Sequence, residues 1–90
     1  MTKLSNVAKS GGMISPEQSR AARAWLNWSQ ADLAEKAEVG LSTIRDFEKG
    51  VRKPIKNNIV AIRRAFYAAQ VEFLNDENGH PVGIRVPAVD

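Results

Sequence analysis

Leu41, Ser42, Arg45 and Asp46 stand at spacings of i, i+1, i+4 and i+5. On a helix that spacing gathers them on one face. Their chemistries differ. Arg45 carries a planar fork of donors that matches O6 and N7 of guanine together. Ser42 donates or accepts. Asp46 accepts from an amino group such as cytosine N4, or else orients Arg45. Leu41 has no hydrogen bond to offer and can only touch a thymine methyl. Cations follow at Lys49, Arg52, Lys53 and Lys56, and cations of this kind bind phosphate oxygens. The residues are equipped for hydrogen bonding and charge neutralisation.

Charge is unevenly distributed along the chain. The net charge is +3 over 90 residues. Residues 41–67 hold seven basic side chains against Asp46 and Glu48, a local +5. Residues 71–90 hold Arg85 against Glu72, Asp76, Glu77 and Asp90, a local −3. A basic centre with an acidic tail suits a polyanion on one face and something else on the other.

Other chemistries find no support. The chain has no cysteine, hence no disulfide, thiolate metal site or thiol nucleophile. His80 is the only histidine and lies in a loop. Glu17, Asp32, Glu35 and Glu38 fall at no spacing that pairs two carboxylates, and there is no Gly-rich phosphate loop. The expectation is no enzyme, no cofactor and no metal. No apolar run approaches a membrane span, and residues 1–12 lack the apolar stretch of a signal peptide. A cytoplasmic protein without a membrane partner is expected.

The elements that must position these residues read clearly. Residues 1–12 form a polar arm ending in Gly11-Gly12, expected to be disordered. A first helix opens at Ser15 as N-cap, with Pro16 at N1 and Gln18 completing a capping box. It runs to about Leu26, where Asn27 suits a left-handed cap. A second helix follows Ser29, with Asp32 at N3 and Leu33, Ala34 and Ala37 inward. The turn is Glu38-Val39-Gly40. A third helix spans about 41–49, with Ile44 and Phe47 inward and Gly50 ending it. After the basic loop 51–55 a fourth helix spans about 56–69. Its expected buried stripe is Ile55, Ile59, Ile62 and Phe66. Trp25 and Trp28 are expected near the core at the first helix junction, and Arg63 and Arg64 on the solvated surface.

Beyond residue 70 the period changes to two. Asn78-Gly79 is a two-residue hairpin signal. If it is the turn, Glu72 faces Arg85, Phe73 faces Ile84 and Val71 faces Val86. One face is then apolar apart from Asn75, and the other gains an ion pair.

Residues 30–50 thus read as two short helices joined by a tight turn, a helix-turn-helix. The residues Trp28-Ser29-Gln30, Leu33-Ala34, Ala37, Val39, Ser42-Thr43-Ile44 and Phe47-Glu48-Lys49-Gly50 resemble the lambda-repressor/Cro superfamily, often called Xre-type. Pro54 and the Ile59/Ile62 stripe extend the similarity, which covers about residues 15–69. The resemblance implies that the third helix is a recognition helix placing Leu41, Ser42, Arg45 and Asp46 against base edges. It implies that Gln30 grips the DNA backbone. Phosphate contacts are assigned with it to Thr43, Lys49, Arg52, Lys53 and Lys56. Arg23 and Glu48 match a family salt bridge between the first and third helices. Three positions depart from the pattern, Glu38, Gly40 and Gln70, where the family more often has Gly, Ser and Gly.

The expected fold class is all-α: a four-helix lambda-repressor-like domain over residues 13–70, with a β-hairpin and tail over 71–90. The hairpin face Val71, Phe73, Val82, Ile84 and Val86 is expected to pack back on the helices or to meet a dimer twin or another partner. The expected function is a DNA-binding transcriptional regulator, a repressor acting as a homodimer on double-stranded DNA with a palindromic operator. An antitoxin-type regulator with a toxin partner and a protein-interaction module on the same fold are the alternatives.

Overall fold

The computed structural model describes residues 14–87. Four helices precede a two-stranded antiparallel sheet: α1 (Pro16–Leu26), α2 (Gln30–Ala37), α3 (Leu41–Lys49), α4 (Lys56–Ala68), β1 (Glu72–Asn75) and β2 (Pro81–Arg85). The arm 1–12 and Asp90 lie outside the described residues.

Local chemistry sets the helix ends. Ser15 and Ser29 each close a full capping box, with Gln18 and Asp32 as the reciprocal partners. These boxes satisfy amide donors that a bare first turn leaves open. Asn27, Glu38 and Gly50 take left-handed backbone angles at the C-termini of α1, α2 and α3. Glu38 at φ 58° carries strain of roughly 1–2 kcal/mol that a glycine would avoid. Gly40 caps α3 with no side-chain bond.

One core joins all six elements. Ala22 of α1, Leu33 and Ala37 of α2, Ile44 and Phe47 of α3, and Ile62 and Phe66 of α4 are buried with Val71 and Phe73. Trp28 stacks on Phe66 at 5.6 Å between ring centroids, and Phe73 meets Phe66 edge-on at 5.5 Å. The hairpin therefore belongs to the helical core, and the all-α description is corrected to a mostly helical fold with a small sheet. A lone hairpin is marginal in water; here the helices cover its apolar face. Gln18 fastens it further. Its Nε2 donates to Leu74 O at 3.3 Å and to Gly83 O at 2.9 Å, while its Oε1 accepts from the Ser15 amide.

The turn differs from the expected one. Asp76 N donates to His80 O at 2.8 Å and Gly79 N to Asp76 O at 2.9 Å. The loop is thus three residues, Glu77-Asn78-Gly79, with Gly79 at φ +86°. The physical reason is Asp76, whose Oδ1 accepts from the amides of both Asn78 and His80. The extra loop residue shifts the pairing so that Asn75 meets Pro81, and a bulge at Val82 shifts it back. Leu74–Gly83, Phe73–Ile84 and Glu72–Arg85 pair as the alternation predicts, and Glu72 and Arg85 form an ion pair at 3.0 Å.

Three further expectations need correction. Ile55 is 67% exposed, because it is the N-cap of α4 and precedes its buried face. Trp25 is 50% exposed on the outer face of α1, so only Trp28 packs inward. Arg63 is half-buried, unlike exposed Arg64, and burial holds its guanidinium below the usual value. The hairpin face packs back on the helices, one of the two arrangements expected: Val71 and Phe73 are enclosed by their own chain and Ile84 and Val86 are half-buried against the core. Val82 is the only one of the five that is exposed.

Candidate nucleic-acid interface

α3 is amphipathic over nine residues, and its inward positions Ile44, Phe47 and Glu48 are buried. The opposite face offers Ser42 and Arg45 to solvent. Asp46 and Thr43 are half-buried at its edge. Leu41 is also half-buried and packs in part against the core.

The loop after α3 is tied down by the helix it leaves. Gly50 N donates to Phe47 O, while Val51 N and Arg52 N both reach Asp46 O, at 3.0 and 3.4 Å. These bonds satisfy the terminal carbonyls of α3 and bring the loop back alongside the helix. A cleft results, lined by Ser42, Thr43, Asp46, Arg52, Lys53, Pro54, Ile55 and Asn58. The structure thus brings Ser42 and Asp46, expected at bases, together with Thr43, Arg52 and Lys53, expected at phosphates. Lys49, Arg45 and Lys56 are exposed but do not line the cleft. Asn58 was not anticipated; its place in the third position of α4, just after the basic loop, was the available signal. Val51 is 71% exposed in the same loop.

A second polar cluster lies beneath α3. Glu48 is 3% exposed, yet its carboxylate is saturated with donors. Arg23 contributes Nη2 at 2.7 Å to Oε1 and Nε at 2.9 Å to Oε2. Ser19 Oγ donates to Oε2 at 2.5 Å, and Gln30 Nε2 donates to Oε1 at 3.1 Å. Arg20 donates to the Glu48 carbonyl at the end of α3, and Arg23 also holds the Trp28 carbonyl at 3.0 Å. Burial pushes the Glu48 carboxyl up, but the bonds from Arg23, Ser19 and Gln30 together outweigh it and hold the pKa below the ordinary value. The bond to Glu48 raises Arg23 in turn, against the opposing effect of its own burial. Sequence patterns pointed to Arg23 and Glu48 but not to Ser19 or Arg20. Ser19 is fully buried beside Glu48, and its role is visible only from that contact. Gln30 sits at this junction, on the first turn of α2, apart from the cleft.

The order of elements, the tight α2–α3 turn and the exposed face of α3 are those of a helix-turn-helix. A helix-turn-helix family model matches residues 20–66, more than half of the chain. The chain belongs to the Xre/lambda-repressor-like helix-turn-helix family. This is a family of DNA-binding transcription regulators. The match runs from α1 into α4 and stops before the hairpin. Comparison with curated proteins finds no match. Among the described residues no helix is long and apolar enough to cross a membrane.

Proposed function

We propose that this helix-turn-helix protein is a repressor that recognises a palindromic operator as a homodimer, with α3 in the major groove. The observation that carries the reading is the exposed pair Ser42 and Arg45 beside a cleft edged by Arg52 and Lys53. Arg45 reads guanine, and Ser42 and Asp46 contact neighbouring bases. Gln30, Thr43, Lys49, Arg52, Lys53 and Lys56 contact phosphates. A two-fold dimer sets the two α3 helices roughly 34 Å apart, one DNA turn. Of the hairpin positions, Val82 with the exposed parts of Ile84 and Val86 remains for a dimer twin or other protein partner.

Fluorescence anisotropy tests the reading. The DNA upstream of the protein's own gene is compared with a shuffled duplex at two salt concentrations. Sequence-dependent binding supports an autoregulating repressor. Equal, salt-sensitive binding to both duplexes removes that operator from the proposal. No binding at low salt favours the protein-interaction reading. Sedimentation at tens of micromolar, with and without DNA, tests the dimer; a monomer in both conditions refutes it.

A further inference from the structure

α1 has two opposite sides. Ser19 and Arg23 hold α3 through Glu48. Glu17, Ala21 and Trp25 recur every four residues, and at about 100° per residue they fall on the far side of the helix from that pair. There α1 and β2 leave an open groove of about 520 Å³, lined in part by Glu17, Ala21, Pro81, Val82 and Ile84. Gln18 also lines it, but its amide is committed at both ends, to the Ser15 amide and to the carbonyls of Leu74 and Gly83. The groove therefore suits an apolar occupant. One turn beyond Ala21, the indole of Trp25 stands 50% exposed.

A projecting aromatic beside an apolar groove is self-complementary under a two-fold axis, where each copy supplies a knob and receives one. Exposed Ala21 and Ala24 put no bulk between two α1 helices brought together there. Charge agrees. Glu17 and Arg20, the exposed charged side chains of α1, pair at 3.9 Å. This side thus carries no net charge, whereas residues 41–67 carry +5. Two cationic chains meet here without the repulsion that their basic faces would bring. We infer that the α1–β2 face binds a second copy of the chain, Trp25 of each subunit seating in the groove of the other. This rests on the homodimer reading and extends the interface from the hairpin to α1. Because the face lies across α1 from the Glu48 junction, both α3 helices stay open to DNA.

Sedimentation equilibrium of the full chain tests it. Trp25→Ala should raise the dimer Kd about 30-fold, the loss typical of an aromatic anchor. Ala21→Arg, which fills the groove, should weaken the dimer by at least about 10-fold. Tyr67→Ala removes a comparably exposed aromatic from α4 and should leave the Kd within about 2-fold of wild type. An unchanged Kd for Trp25→Ala overturns the inference. So does an equal loss from Tyr67→Ala, which would mark general stickiness of exposed rings. All three variants change exposed side chains, where folding is rarely lost. If Trp25→Ala does not fold, Ala21→Arg decides in its place.

Cross-linking gives an independent reading. The chain has no cysteine, so a single introduced thiol reports which faces meet. A bismaleimide should join Ala21→Cys chains into a covalent dimer and leave Tyr67→Cys chains monomeric. Failure of Ala21→Cys to cross-link, with the wild type dimeric, overturns the inference. If the wild type is monomeric at tens of micromolar with and without DNA, the homodimer reading falls and this inference falls with it. A wild-type dimer indifferent to Trp25 and Ala21 removes the inference alone and leaves the groove to a different apolar partner.

Discussion

The junction under α3 and the cleft beside it are built from the same kinds of residue and behave in opposite ways. At the junction, two arginines, a serine and a glutamine converge on one glutamate, and both carboxylate oxygens of Glu48 are bonded several times over. In the cleft and along its rim, Arg45, Lys49, Arg52, Lys53 and Lys56 are exposed, and no ion pair joins any of them to a carboxylate among the described residues. A polar group with its partners built in holds the fold. A cation left to water is available to a ligand, and desolvating it against phosphate releases counterions. The difference separates the residues that aim α3 from those that would touch DNA, although both lie within a few positions of each other in sequence.

The largest effect should come from breaking the junction. Glu48→Ala leaves Arg23 and Ser19 facing a buried void, and is expected to cost about 3–5 kcal/mol, measured by urea unfolding. A loss below about 1 kcal/mol, the range of a surface ion pair, would make the junction no different from the cleft. Acid should show the same asymmetry. The folded pKa of Glu48 is depressed, so the unfolded chain takes up its proton first. The associated stability is complete above the unfolded carboxyl value of about 4.3 and is lost as pH falls from there through the folded value. Urea midpoints measured from pH 6 down to pH 3 should therefore fall more steeply for wild type than for Glu48→Gln. Parallel slopes would show that Glu48 contributes nothing to acid sensitivity.

Changes on the other side should spare the fold and affect the ligand. Arg45→Ala is expected to cost about 1–3 kcal/mol of binding to a duplex selected from a random-sequence library by the wild-type protein, and to relax one base position. Equal losses on selected and random DNA would remove Arg45 from the readers. Lys53→Ala should be the mildest. Its stability should stay within about 0.5 kcal/mol of wild type, while the slope of log affinity against log salt should flatten by about one unit. A melting shift with an unchanged slope would place Lys53 among the structural residues.

How legible this was depended on whether the deciding interaction is local. Capping boxes close within four residues, so Ser15/Gln18 and Ser29/Asp32 could be read off the chain. The left-handed angles of Asn27, Glu38 and Gly50 were legible for the same reason. Ile55 was misjudged because helical periodicity gives a face but not where the face begins. Ile55 caps α4 just before its buried side starts. Ser19 and Arg20 were missed because their partner is 28 or 29 residues away, a separation no spacing rule spans. The hairpin was half legible. The alternation of apolar residues predicted the pairs that touch the helices, but the side chain of Asp76 determined the turn.

That last point reaches beyond the turn. A two-residue loop with an unbroken ladder and a three-residue loop with a bulge lead to the same pairing at Leu74–Gly83 and beyond. The ribbon therefore has slack at its tip: a slip of one residue there is absorbed at Val82, which stands 54% exposed with no opposite number. The rungs that carry Phe73 into the helical core, and Arg85 onto Glu72, never feel it. Changing the tip decides only whether proline or valine lies over Asn75, leaving the rest of the molecule in phase.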